Sequence, residues 1–136
     1  MTLDFIEPEG WERPRGYSNG VLAPAGSRML HVAGQIGWDA DQTLVGPGFV
    51  AQFRQALSNV MAVVQAAGAS ASDICSLTIF VTDKQQYLGA LPAVGAAYRE
   101  ILGKHFPAMA LVQVADLLEP GAMVEIQAQA ALPERG

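Results

Sequence analysis

The stretch from Val124 to Ala130 constrains this chain more than any other. Val124, Ile126, Ala128 and Ala130 alternate with Glu125, Gln127 and Gln129, a two-residue period that places all four apolar side chains on one face of a strand. Glu125 then projects from a sheet that otherwise offers almost no charge. A carboxylate between Val124 and Ile126 is costly to bury unless it is paired, so it is either an exposed strand residue or a placed one. The run before it, Pro107 to Ala115, is less regular. Val112 and Val114 flank Gln113, while Met109 and Leu111 share the phase of that glutamine, which predicts a strand buried on both faces over part of its length. Pro120-Gly121 marks the turn between the two members of this terminal strand pair.

Upstream, Leu3 to Ile6 reads as a short edge strand. Pro8, Gly10, Pro14 and Gly16 keep the rest of residues 1–16 irregular, with Trp11 and Tyr17 expected to anchor that segment through their large apolar bodies. Asn19 to Ala23, a tight turn at Pro24 to Ser27, and Arg28 to Ile36 form a predicted antiparallel hairpin. The spacing of Val50, Phe53, Leu57, Val60 and Val64 predicts an amphipathic helix over Phe49 to Ala67, stopped by Gly68. Ser70 to Asp73 is turn-like. Ile74 to Val81 reads as a strand with Cys75, Leu77, Ile79 and Val81 in one phase. Asp83 can cap a short helical turn, and Pro92 suits the first turn of a helix over Leu91 to Leu102, with Val94, Tyr98 and Ile101 as its buried stripe. Two successive strand-helix-strand units imply an α+β layer arrangement, a single sheet with both helices on one face. The other face is expected to be largely apolar and covered by further copies of the chain.

At 136 residues the chain reads as one domain, 1–136. Half of it is apolar and only 15% is charged, which suits a protein that buries surface between subunits. The net charge of −5 argues against a nucleic-acid partner, since phosphate-tracking surfaces cluster Lys and Arg; here Arg13 and Arg15 are the closest pair, with Glu12 beside them. The single Cys75 excludes an internal disulfide framework and a cysteine-based metal site. Met-Thr-Leu-Asp-Phe-Ile-Glu is no signal peptide and no apolar run reaches membrane-spanning length, so a cytoplasmic setting without membrane contact is expected.

Phosphate loops, metalloprotease helices, nucleophile elbows and dinucleotide fingerprints are all missing from the sequence. His31, among apolar strand neighbours, reads as a packed or interface histidine rather than a base. His105, just past a helix end, reads as a surface cation favoured by the helix C-terminus. Cys75 reads as an inert core thiol, and Tyr17 as an anchor before an acid.

Several segments together resemble the RidA family, the YjgF-like reactive-intermediate deaminases: Gly16-Tyr-Ser18, Leu30-His-Val-Ala-Gly-Gln-Ile36, Gln52-x-Arg-Gln-Ala-Leu-x-Asn-Val60, Ala66-Ala-Gly-Ala69, Thr78-Ile-Phe-Val-Thr-Asp83, Phe106-Pro-Ala108 and Val124-Glu-Ile126. The resemblance runs in the family's order from about Gly16 to Ala131. It implies a chorismate-mutase-like α+β fold and a homotrimer whose sheets form a central barrel, with a small-molecule ligand in clefts between subunits. It also implies hydrolysis of enamines and imines such as 2-aminoacrylate without metal or cofactor. Tyr17 and Glu125 match the family's site, Glu125 as the acid that positions the hydrolytic water.

The arginine whose planar fork holds the substrate carboxylate is Met109 here, and a thioether cannot replace it. Losing such a bond removes roughly 2 to 5 kcal/mol of binding. The usual serine is Ala33 beside Gly34, the helix asparagine is Gly95, and Leu111 stands two residues after Met109. Trp38 is a further expected substrate contact. The resemblance therefore implies an enamine or imine hydrolase with altered specificity and weak or no 2-aminoacrylate activity. The alternative is a non-catalytic trimer that binds or senses a small ligand. Arg13, Arg15, Arg28 and Arg99 are the candidates for a replacement cation.

Overall fold

The computed structural model describes residues 2–134, so the first residue and the last two of the single-domain reading lie outside the described residues. In chain order the elements are β1 (Asp4–Ile6), β2 (Gly20–Leu22), β3 (Arg28–Ile36), α1 (Phe49–Ala66), a 3₁₀ turn (Ala71–Asp73), β4 (Ile74–Val81), α2 (Lys84–Leu88), α3 (Leu91–Leu102), β5 (Ala108–Gln113) and β6 (Val124–Leu132). Four strands form one sheet in the order β3-β6-β4-β5. β5 runs parallel to β4, while β6 is antiparallel to both β3 and β4. α1 carries the chain from β3 to β4, α3 carries it from β4 to β5, and both helices pack on the same face.

Local chemistry explains the helix limits. α1 turns Phe53, Ala56, Leu57, Val60 and Val64 into the core at 0 to 1% exposure, the three-to-four spacing of one helical face. It ends where Gly68 adopts φ +85°, with Gly68 N–H donating to the Gln65 carbonyl at 2.9 Å and Ala69 N–H to that of Val64 at 3.1 Å. That double closure needs a left-handed residue, which glycine supplies without steric cost. Ser70 and Asp73 cap the 3₁₀ turn reciprocally, and the Asp83 carboxylate accepts from Gln85 N–H at 2.9 Å to start α2.

Several sequence expectations give way to tertiary contacts. β2 does not pair with β3; it pairs with β1, Phe5 opposite Val21, and β3 pairs with β6 instead. The Pro24–Ser27 turn does form, with Ser27 Oγ donating to the Pro24 carbonyl at 2.6 Å. The ribbon nevertheless folds over the sheet because Leu3, Val21 and Ala23 find their apolar partners in Cys75 and Ala131. The two terminal strands are not partners either, since β4 lies between them. β5 is an edge strand, half-buried on its helix-facing side and exposed on the other, and not buried on both faces.

A bulge between Ile74 and Ser76 puts Ile74 in the helix-facing core with Leu77, Ile79 and Val81, and turns Cys75 to the opposite face. That face is mixed and not largely apolar: His31, Ser76, Thr78, Glu125, Gln127 and Gln129 alternate with the buried set and share it with Phe80 and Val112. Among the described residues no helix is long and apolar enough to cross a membrane.

The irregular N-terminal segment is anchored by Ser18. Its Oγ donates to the Phe106 carbonyl at 2.5 Å and its N–H to that of Pro107 at 3.0 Å, whereas Trp11 is 66% and Tyr17 41% exposed. His105 is half-buried and not on the open surface. Its Nε2 donates to the Ile74 carbonyl at 2.7 Å, tying the end of α3 to the start of β4. His31 is exposed in the single chain.

One buried side chain joins the pieces around α1. Gln52 is 1% exposed; its Nε2 donates to the carbonyls of Gly46 (2.8 Å) and Gly121 (3.0 Å), and its Oε1 accepts from Met123 N–H (2.8 Å). Gln52→Leu keeps the volume but strands those three backbone groups, and we expect a loss of roughly 2 to 4 kcal/mol. Urea unfolding reads this directly; a loss below about 1 kcal/mol would mean that water satisfies the freed groups.

Candidate active site

β5 presents Met109 and Leu111 toward the helices, because they pair in parallel register with the core residues Leu77 and Ile79. Between this face and α3 lies a cavity of about 350 Å³. Phe53, Ile79, Val94 and Met109 give it an apolar wall, and Gly16, Gly95, Arg99 and Phe106 also line it. Tyr98 stacks on Phe106 with ring centroids 5.5 Å apart and donates its hydroxyl to the His105 carbonyl at 2.6 Å. Burial pushes the Tyr98 phenol above its ordinary pKa, so it is a neutral donor and not an acid. Tyr17 stands at the outer edge of the same strand, sharing a second cleft with Ser18, Met109 and Ala110.

Glu125 faces the other way. Val124 and Ile126 on either side are fully buried against the helices, so the alternation of β6 sends the carboxylate to the opposite face of the sheet. There it is half-buried and makes no hydrogen bond or ion pair with any described residue. It occupies the space that a Cβ on Gly34 would fill. The register of β3 against β6 shifts between Val32 and Gln35, which brings the exposed pair Ala33 and Gly34 alongside Glu125.

The eight residues singled out from the sequence thus fall into separate places. Tyr17, Met109 and Gly95 gather around β5 and its cavity, with Leu111 on the same strand face packed into the core. Ala33, Gly34 and Glu125 sit together on the far side of the sheet. Trp38 belongs to neither group. It follows β3, bridges to Leu44, and its carbonyl accepts from Asn59 Nδ2 at 2.8 Å. Sequence reasoning missed Tyr98 and Phe106 as cavity walls and Ser18 as the anchor. Phe106-Pro107 and Ser18 were visible as motif pieces, but nothing in them says that one hydrogen-bonds the other. Among the described residues no group of histidine, cysteine, aspartate or glutamate side chains could hold a metal ion.

The sequence pattern of the family described as Endoribonuclease L-PSP matches residues 12–132, nearly the whole chain. Proteins named 2-iminobutanoate/2-iminopropanoate deaminase are similar to it. That of Capra hircus is 35% identical over 113 residues, 82% of this chain and 77% of that protein. That of Salmonella typhimurium is 38% identical over 103 residues, 74% and 77% respectively. Among solved structures, the Rid-family protein YyfB from Yersinia pestis superposes with a TM-score of 0.85 at 32% identity, covering 97% of this chain and 100% of that one. The YjgF gene product of E. coli gives 0.64 at 36% identity, covering 84% and 86%. The fold and the matched strands define an α+β protein of the YjgF/Rid type. The chain belongs to the Endoribonuclease L-PSP family, to which its resemblance to RidA pointed.

Cys75 is no nucleophile. It is buried against Leu3 and Ala131, and burial raises its thiol pKa above the ordinary value, outweighing the lowering by the Ala131 backbone. The reactive thiolate is therefore scarcer in the folded chain at any pH below that raised value. Alkylation by iodoacetamide at pH 8 should run about tenfold or more slower in the native protein than in urea; equal rates would place the thiol in solvent.

Proposed function

We propose that the protein is an imine and enamine hydrolase of the RidA type, with a pocket altered toward more apolar substrates than 2-aminoacrylate. The observation that carries this is Glu125, half-buried, without a polar partner among the described residues, and set against a residue with no side chain, so that its carboxylate is free to hold a water. Water oxygen attacks the imine carbon while Glu125 accepts its proton and passes it to the imine nitrogen, giving the carbinolamine. Glu125 then takes the carbinolamine hydroxyl proton and delivers it to the amino nitrogen, so that the C–N bond breaks and ammonia leaves as the carbonyl forms. Tyr17 would close over the cleft. Neither metal nor cofactor is required for this hydrolysis. The names of the similar deaminases support the reaction class, and a free unpaired cysteine is compatible with a cytoplasmic setting.

In one chain Glu125 and Met109 lie on opposite faces of a single sheet. We therefore place the complete site between copies of the chain in a homotrimer, the β5 cavity of one protomer meeting the Glu125 face of its neighbour. His31, Gln127 and Gln129 on the open face then become interface groups, and the mixed polarity of that face is suited to interprotomer hydrogen bonding as well as to packing. Light scattering should give a mass three times that of the chain, and a monomer would leave the two halves of the site apart.

Ammonia release from 2-aminoacrylate is the direct test. The wild-type chain should be slower than an arginine-bearing relative by roughly thirty- to a thousandfold, as loss of about 2 to 4 kcal/mol implies. Met109→Arg should recover part of that loss, and turnover equal to the relative would refute the altered pocket. On an apolar imine that the wild type does hydrolyse, Glu125→Gln should lower kcat by about a hundredfold or more; undiminished kcat would remove Glu125 from the water-holding role. The second reading, a trimer that binds a ligand without turnover, is favoured by the apolar Met109 wall and would be left if no imine is hydrolysed.

A further inference from the structure

We infer that Arg99 of α3 supplies the anion-holding group of the β5 cavity, which thereby takes a small monocarboxylate with a bulky apolar body. The inference rests on the proposed hydrolase only for the reacting group; the binding site itself stands on the geometry of this chain.

Three observations converge on it. Arg99, Gly95 and Met109 line the same cavity, so a cation borders the space beside the thioether. The Arg99 side chain makes no hydrogen bond or ion pair with any described residue, whereas the next residue, Glu100, is paired with Arg54. The guanidinium fork, built to grip a planar carboxylate with two parallel hydrogen bonds, is therefore left open. Finally, Gly95 and Arg99 are one helical turn apart on α3, and a Cβ at position 95 would lie 3.2 Å from Arg99 Nη1. The bare position 95 therefore leaves the guanidinium room to lie along the cavity wall, where a larger side chain would crowd it.

The rest of the lining decides the ligand's body. Phe53, Ile79, Val94 and Met109 offer only carbon and sulfur, and the Tyr98 hydroxyl proton is already given to the His105 carbonyl. Tyr87 remains as a lining hydroxyl. A single cation suits one carboxylate better than a dianion, and an apolar wall favours a branched or aromatic chain over a methyl group.

Product-like acids test this without relying on turnover. Titration calorimetry on the full-length protein would compare 4-methyl-2-oxopentanoate, its neutral methyl ester and pyruvate. The branched acid should bind at least about tenfold tighter than pyruvate. Arg99→Gln should weaken the branched acid roughly ten- to hundredfold, the worth of a hydrogen bond to a charged group, Arg99→Lys should recover part of it, and the ester's affinity should not change. Arg99 is exposed and makes no polar contact with the described residues, so these variants fold. Unchanged affinity in Arg99→Gln, equal affinity for pyruvate, or no binding of the acid overturns the inference. Acid held through Arg99 by a protein that hydrolyses no imine sinks the hydrolase reading and leaves this site standing. Imine turnover with acid affinity unchanged in Arg99→Gln sinks this site alone.

Discussion

A sheet is one residue thick, and β6 is hydrogen-bonded along both of its edges, so neither face of that strand can roll toward the other. Val124, Ile126, Ala128 and Ala130 are held under α1 at 0 to 2% exposure, which commits Glu125, Gln127 and Gln129 to the opposite side. The same register logic commits Met109 to the helix side through Leu77. Acid and thioether are thereby separated within one chain whatever their side chains would prefer. Chemistry that used both would need a second copy of the chain, which is what the proposed trimer supplies.

What the sequence made legible is what short-range physics decides. The stripe of α1, its Gly68 stop, the capping of α2 by Asp83 and the limits of β4 and α3 all follow from residues within a few positions of one another. Pairing partners are another matter. The turn at Pro24 to Ser27 formed as its residues dictate, yet β2 chose β1, because Leu3, Val21 and Ala23 are buried against Cys75 and Ala131, residues far from them in sequence. A bulge such as that at Cys75 is equally invisible to a period count, since one extra residue reverses the phase of everything before it.

The residues proposed for the site could be named from the sequence, while their placement within one chain could not. Motif matching picked out Tyr17, Glu125 and the departures at Met109, Gly95 and Ala33 and placed them in a cleft shared by subunits, but it did not say which of them one chain holds together and which it separates. Large aromatic residues were also expected to do the anchoring. A buried hydroxyl did it instead: Ser18 satisfies the Phe106 carbonyl and adds a bridge to Ala108, a gain that an exposed indole at Trp11 cannot match. Hydrogen-bond satisfaction of buried backbone outweighs a large apolar surface that has nowhere to be buried.

Magnitudes then separate the ligands that an apolar pocket can keep from those it must lose. Removing a charged hydrogen bond to a carboxylate costs about 2 to 5 kcal/mol, while each buried methylene returns about 0.8 kcal/mol. An acid with a single side-chain carbon cannot offset the loss. One with four or five apolar carbons seated against Phe53, Ile79, Val94 and Met109 gains roughly 3 to 4 kcal/mol, which closes most of the gap. If Arg99 on α3 holds the acid as inferred, the polar anchor lies at a different part of the cavity from Met109, and that leaves room for a larger apolar body.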